Sequence, residues 1–347
     1  MGPIVFDEIH KIITDYDYRD AFKNFQVLHK VKAVLFGMTG SLPPSLYPVL
    51  CEMTGITWQF VRTPSSRKEL KYQVITVPSE SVIDQAIVEH VNLAISSYRS
   101  QDRAIVFCRS KQHATHLAYL FKIPPYYAVG EDGSLLEKNK ETLNRWISGD
   151  QPVMISTSIL GCGLDYSHIR DVVHRDPSYT MMDQYQEDSR GGRDGLLCRA
   201  TTFIIDKKIY SVPTHPYNFG TKTLFDSLRD NTHCLRMAQG LYLDGQPVQC
   251  VTLPGAQLCQ NCEKSLEIIP SSENLQSLNL ASASKSNKFS PPKRSSDIFD
   301  KSPHIDLRDH IRPLKRKRSS LNSAASTVSP TNIPSPPKRV QFSNIPT

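Results

Sequence analysis

The sequence predicts an α/β protein built on a parallel sheet, followed by a small cysteine-bearing helical module and a basic tail that does not fold. Three observations carry this. Between residues 71 and 205, short apolar runs alternate with helical segments of about 10–15 residues, the pattern of right-handed βαβ units. Cys234, Cys250, Cys259 and Cys262 follow with the spacing C-x15-C-x8-C-x2-C. From Ser265 onward Ser, Pro, Asn and Lys dominate, ten of the 24 prolines fall there, and no apolar period persists, which predicts disorder.

Composition sets the outer bounds. A chain of 347 residues has room for two or three domains, and 39% hydrophobic content is low enough that part of it is expected not to fold. The net charge of +7 is unevenly placed: residues 265–347 hold 13 Lys+Arg against 6 Asp+Glu, which leaves 28 of each in residues 1–264. The folded part is therefore no general polycation. Nucleic-acid contact there has to come from local patches, with the tail supplying long-range attraction. The sequence has no apolar run of membrane-spanning length and no signal-peptide pattern, so a soluble, intracellular protein without membrane contact is expected. In that setting the eight cysteines are thiols or metal ligands, not disulfides.

The first predicted strand, Ile4-Val5-Phe6, runs straight into Asp7-Glu8-Ile9-His10. A carboxylate pair at the end of an apolar strand can hold Mg²⁺ through the ion's water shell and take a proton from water. A merely solvated strand end fits these residues as well. Residues 11–30 carry Tyr16, Tyr18, Arg19, Phe22 and Phe25; base stacking with a phosphate contact and core packing explain them equally. Residues 32–38 read as a strand followed by Thr39-Gly40-Ser41, and 43–62 as helix, turn and strand. Strands at 72–77, 104–108, near 126–129 and at 153–157 alternate with helices at 81–98, 111–121 and 134–148. Ser110 is a natural helix N-cap. Residues 153–195 then read as a strand, a Gly-punctuated turn ending at Asp165, and a helix ending in Gln186, Glu187, Arg190 and Arg193. Two arginines three apart share one face of a helix turn, and Gly191, Gly192 and Gly195 leave it little side-chain cover. A guanidinium fork placed so suits phosphate; ordinary surface ion pairs would use the same residues.

In an intracellular chain the four spaced cysteines suit tetrahedral, structural Zn²⁺. Cys51, Cys108, Cys162 and Cys198 read as buried thiols, and His113, His116 and His174 as packing or surface groups. In the tail, Lys315-Arg316-Lys317-Arg318 suits a nuclear import receptor or non-specific DNA contact; a solvated basic tail fits it too.

The string from Ser156 to Gly195 resembles the second motor lobe of superfamily 2 helicases, most closely the RecQ-like DNA helicases. Their motif V has the form ATxAFGMGIDKPDVRFVIH; here it is Ser156-Thr157-Ser158-Ile159-Leu160-Gly161-Cys162-Gly163-Leu164-Asp165 and on to His174. Their motif VI, YYQExGRAGRDG, is Tyr185-Gln186-Glu187-Asp188-Ser189-Arg190-Gly191-Gly192-Arg193-Asp194-Gly195. Tyr166 stands where a Lys is usual, Asp188 where an apolar residue is, and Ser189 where a Gly is. The resemblance covers roughly residues 3–264. It implies RecA-like, P-loop NTPase-type parallel sheets: a partial first lobe (1–63), a complete second lobe (64–205), a zinc module (206–264) and a disordered basic tail (265–347). Thr63 to Arg67 would be the hinge. It further implies ATP and Mg²⁺ as cofactors, with Asp7 on the Mg²⁺ side, Glu8 the base, and His10 coupling nucleotide state to the other lobe. Thr39 would belong to motif III. Arg190 and Arg193 would be arginine fingers whose geometry Gln186 helps set, with Gly163 and Asp165 facing the nucleotide. Tyr16, Tyr18, Arg19, Ser110 and Thr157 would meet single-stranded or forked DNA, and Cys234, Cys250, Cys259 and Cys262 would hold Zn²⁺.

A phosphate loop of GxxxxGK[ST] spacing is absent from the 347 residues. The expectation is thus an N-terminally truncated 3′–5′ DNA helicase, unable to hydrolyse ATP alone, or alternatively a non-catalytic, zinc-stabilised binding remnant, with nuclear localisation.

Overall fold

The computed structural model describes residues 2–17, 19–127, 133–157, 165–212 and 215–267. All lie within one compact unit. The elements in chain order are β1 (Ile4–Phe6), α1 (Lys11–Thr14), a 3₁₀ run (Asp20–Lys30), β2 (Leu35–Gly37), α2 (Tyr47–Thr54), β3 (Leu70–Val77), α3 (Glu80–Ile95), β4 (Arg103–Cys108), α4 (Lys111–Phe121), α5 (Gly133–Ser148), β5 (Val153–Thr157), β6 (Ile169–Arg175), α6 (Met181–Asp188), β7 (Cys198–Ile205), α7 (Thr221–Arg229), α8 (Leu235–Asp244) and α9 (Gln260–Glu267).

Five of the strands form one parallel sheet in the order β3-β7-β6-β4-β5. A parallel sheet is covered on both faces, so its strands read as continuous apolar runs. Along β4 the two faces alternate: Ala104, Val106 and Cys108 join Ile83, Ile87 and Leu117 of α3 and α4. Ile105 and Phe107 join Trp146 of α5 and the cysteines after α7 on the other face. The α/β class read from the sequence is the observed one. No strand was expected at β6 or β7 individually, yet they fill the middle of the sheet.

A second, two-stranded parallel sheet pairs β1 with β2, Ile4 opposite Leu35 and Phe6 opposite Gly37. Its core of Ile9, Ile12, Ile13, Leu42, Leu46 and Leu50 is shared with Met182 and Tyr185 of α6 and Leu243 of α8. This shared core sets the first segment against the end of the large sheet. Phe22 and Phe25 pack here too, 5.3 Å apart, with Phe25 5.7 Å from Phe6.

Two expectations need correction. Residues 56–67 form no strand, because their contacts are made by side chains rather than by a ladder. Phe60 stacks on Tyr47 at 3.7 Å, the Trp58 indole N–H donates to Thr54 Oγ1 at 2.9 Å, and Arg62 donates to Leu42 O at 2.7 Å. Near residue 126 there is only a single bridge, Tyr126 with Ser156; residues 128–132 lie outside the described residues.

Candidate functional site

Where the two sheets meet, five polar side chains converge. Gly37 permits the approach: a Cβ there would sit 2.6 Å from Ile9 Cδ1. Glu8 turns the chain with φ of 51°, a left-handed conformation unusual for a residue with a side chain, and its N–H donates to Asp7 Oδ1 at 2.9 Å. This turn brings His10 Nδ1 to 2.8 Å from Thr39 Oγ1 and 3.2 Å from Glu8 Oε2. From α6, Gln186 Nε2 lies 3.1 Å from His10 Nε2 and donates to Ser41 Oγ at 3.0 Å and Glu8 Oε2 at 3.5 Å. The hydrogen bond from His10 holds the Glu8 carboxyl below its ordinary value against the opposing effect of burial, with help from the charges of His10, Lys11 and Arg190. One amide side chain thus reads three groups of the opposite segment, over 145 to 178 residues of sequence.

The arginines after Gln186 depart from expectation. α6 ends at Asp188, so Arg190 and Arg193 occupy a turn and do not share a helix face. Arg190 is buried and Arg193 exposed. Arg193 Nη1 donates to Asp165 Oδ1 at 2.7 Å, which joins two residues that the sequence assigned to the same ligand. The glycines also act differently from expectation. A Cβ on Gly191 would lie 2.2 Å from Cys198 Sγ, and Gly192 has φ of 61° with Glu69 Cγ and Leu196 O each 2.8 Å from its ideal Cβ. They let the turn lie flat on β7 and do not strip it of cover. Gly191→Ala is expected to destabilise the chain by about 1–3 kcal/mol, the usual cost of overpacking. Cys198→Ala in the same chain should recover part of that loss in urea melts.

Behind the turn lies a buried charge cluster. His174 Nε2 is 2.9 Å from Asp188 Oδ1 and Nδ1 is 3.4 Å from Glu187 Oε2. The Ser178 hydroxyl donates to the same Glu187 oxygen at 2.5 Å, and Phe107 stacks on the imidazole at 5.5 Å. Burial alone disfavours the imidazolium, but the hydrogen bonds it donates to Asp188 and Glu187 outweigh this and push His174 up to about 9. Burial likewise pushes the Asp188 carboxyl up, a cost the neighbouring cation offsets. Because the folded value lies above the ordinary 6.5, the proton on His174 stabilises the fold fully below about pH 6.5, and that contribution fades as pH rises through about 9. His174→Asn is therefore expected to cost more at pH 6 than at pH 9, by up to about 3 kcal/mol. Equal losses in urea titrations at the two pH values would refute the charged pair.

The four cysteines come together as a cluster. Cys234 caps α8, Cys250 opens a short 3₁₀ turn, and Cys259 and Cys262 lie at the start of α9. Their sulfurs all lie within 4.8 Å of one another, with Cys234 to Cys250 at 3.5 Å and Cys259 to Cys234 at 3.8 Å. Four thiolates around a tetrahedral ion with Zn–S of about 2.3 Å would stand roughly 3.8 Å apart, so the donor set fits. Backbone N–H groups point at the sulfurs: Leu235 to Cys259 at 3.4 Å, Cys250 to Cys234 at 3.3 Å, and Cys259 to Cys250 at 3.3 Å.

The remaining predicted residues are dispersed. Asp7 is exposed at the end of β1. Tyr16 is exposed at the surface, and Arg19 pairs with Asp15 at 3.2 Å and lies over the Phe22 ring. Ser110 Oγ accepts the His113 N–H at 3.1 Å, the N-cap role its sequence position suggests. Thr157 is buried, and its N–H donates to Tyr126 O at 3.3 Å. Tyr18, Gly163, Cys162 and Lys315 to Arg318 lie outside the described residues. Sequence reasoning missed His174 as the partner of Asp188, although the acidic residue at an apolar position was the available signal. It also missed Arg67 as a contact of the arginine turn.

The five-stranded parallel sheet carries Gln186 against the acidic end of β1, with Arg190 acting on the Glu8 carboxyl and Arg193 paired with Asp165. Residues 84–195 match the family of the helicase conserved C-terminal domain. Over a longer stretch the chain is similar to RecQ-like DNA helicases. It is 28% identical over 199 residues to the ATP-dependent DNA helicase RecQ of Bacillus subtilis, covering 56% of this chain and 32% of that one. It is 25% identical over 274 residues to a putative ATP-dependent DNA helicase Q1 of Caenorhabditis briggsae, covering 76% and 43%. The chain thus spans less than half the length of either relative. Among solved structures it is similar to S. cerevisiae Dbp5 bound to RNA and ADP BeF3, with TM-score 0.48 and 16% identity over 60% of this chain and 54% of that one.

Proposed function

We propose that these residues are the C-terminal motor part of a RecQ-like, ATP-dependent 3′–5′ DNA helicase, stabilised by Zn²⁺ and acting in the nucleus. The observation that carries the reading is Gln186, which contacts His10, Ser41 and Glu8 at once. A side chain so placed changes its partners whenever the two sheets move, and this is what coupling hydrolysis to strand movement requires. Glu8 would accept the proton of the attacking water, Asp7 would hold Mg²⁺ through its water shell, and Arg190 and Arg193 would meet the charge developing on the phosphate. Tyr16, Tyr18, Arg19, Ser110 and Thr157 are assigned to single-stranded or forked DNA, and Gly163 and Asp165 to the nucleotide. Lys315 to Arg318 would serve an import receptor.

For ATP and Mg²⁺ the fit is partial. The acidic pair and the arginines are present, but no GxxxxGK[ST] string occurs in the 347 residues, so the backbone cradle that such a string supplies to a triphosphate is not among them. Hydrolysis by these residues alone is accordingly not assigned. For Zn²⁺ the cysteine geometry fits, and the ion would crosslink α8 and α9. The domain limits 1–63, 64–205 and 206–264, with a tail from 265, belong to this reading. The second reading, a zinc-stabilised nucleic-acid- or protein-binding remnant without catalysis, draws on the same missing string.

The deciding measurement is ATP turnover by the purified chain with and without single-stranded DNA, beside an Arg193→Ala control. DNA binding without turnover is expected. DNA-stimulated turnover that disappears in the control would overturn the assignment of inactivity, and absence of DNA binding would overturn the helicase reading itself.

A further inference from the structure

The turn that carries Arg190 and Arg193 is held from the segment that leads into β3. Arg67 forks onto it: Nη1 donates to Ser189 O at 3.0 Å, and Nη2 to Gly191 O at 3.1 Å and Gly192 O at 3.3 Å. Three consecutive-turn carbonyls thus converge on one guanidinium, the arrangement in which a planar fork loses least entropy per bond. Arg67 is itself fixed from behind. Arg236, only 2% exposed, donates from Nη1 to Arg67 O at 2.6 Å, from Nη2 to Leu70 O and to Gln257 O, and from Nε to Cys250 Sγ at 3.2 Å. Its guanidinium also lies over the Tyr72 ring at 4.9 Å.

We infer that Arg236 and Arg67 form a two-arginine relay that positions the Arg190–Arg193 turn from the cysteine cluster. Arg236 touches one of the cysteine sulfurs and the backbone of Arg67, and Arg67 touches only the carbonyls of the turn and its neighbour Glu69. Neither side chain reaches the Glu8–His10–Gln186 junction through any of these bonds, so both are positioning residues. A buried guanidinium donating to several carbonyls forms charge-assisted bonds, which are roughly twice as strong as neutral ones. The order of the turn therefore depends on the order of a cysteine cluster whose Arg236-bonded member, Cys250, is 55 residues further along the chain, counted from Gly195. The importance of the turn rests on the proposed helicase reading; the relay itself is a statement about order and needs no turnover to be read.

The test is a double-mutant cycle read by amide hydrogen exchange in buffer containing zinc. The reporters are the N–H groups of Gly191, Gly192 and Gly195, which donate to Asp188, Ile169 and Gly192. The amides of β4 serve as the internal standard. Arg67→Ala should speed exchange at the reporters by roughly ten-fold, the loss of a charged hydrogen-bond set, with β4 unchanged. Arg236→Lys, which keeps the charge but not the fork, should have an effect of the same order. The double variant should add little to either single one, because both act through one connection. Arg67→Lys should fall between Arg67→Ala and the unaltered chain. Reporters unmoved by Arg236→Lys, a double effect equal to the product of the single ones, or an equal rise in β4 would each overturn the relay. Absence of DNA binding, which would overturn the helicase reading, would leave the cycle unaffected.

Discussion

Cys259→Ser is expected to abolish metal binding and unfold the segment from α7 to α9, while the large sheet survives in weakened form. Cys259 is fully buried, at 0% exposure, and its sulfur stands 3.8 Å from that of Cys234 and accepts the Leu235 N–H. Without an ion, four thiols within 4.8 Å of one another would contribute only the packing of small apolar groups. With Zn²⁺ the apparent binding energy of such a set is about 10–16 kcal/mol, comparable with the whole stability of a domain. The module has little else to stand on: α7, α8 and α9 are short, at 9, 10 and 8 residues. Metal analysis should give one zinc per unaltered chain and none for the variant. Limited proteolysis should then cut the variant between residues 206 and 264. An unaltered chain that purifies with well under one equivalent of zinc and melts like Cys259→Ser would sink the zinc assignment.

Arg193→Ala is expected to remove nearly all ATP turnover from any polypeptide in which these residues are joined to a phosphate loop, by about 10³–10⁵-fold in kcat, with little change in stability. The two arginines of the turn differ in what their loss would mean. Arg190 is buried and contributes to the charge around Glu8, so its removal mixes folding with chemistry. Arg193 pairs with Asp165, whose side chain is 81% exposed. Exposed pairs of this kind contribute about 1 kcal/mol or less, so a triphosphate can compete for the guanidinium. Melting should therefore stay within about 0.5 kcal/mol of the unaltered protein. Turnover that persists in Arg193→Ala would remove this residue from the chemistry and leave Arg190 as the only candidate in the turn.

Much of this protein is legible in its residues because the determining interactions are local. The βαβ rhythm of the large sheet follows from strands buried on both faces between amphipathic helices, as in β4 between α3 and α5. The N-cap at Ser110 and the tight Cys259–Cys262 pair are written within a few neighbouring positions. Spacing also predicted that the four cysteines would gather. Only the tertiary structure decided the rest. That the arginine turn lies flat on β7, with Arg190 inside and Arg193 outside, follows from Gly191 meeting Cys198 Sγ at the start of that strand. That His174 is a charged core group depends on Asp188 and Glu187 reaching it from α6. Arg67 acts on carbonyls 122 to 125 residues away, and Arg236 on two that lie 166 and 169 residues away. A side chain donating to a distant backbone oxygen is indifferent to which residue supplies that oxygen, so such contacts leave neither a period nor a motif in the sequence.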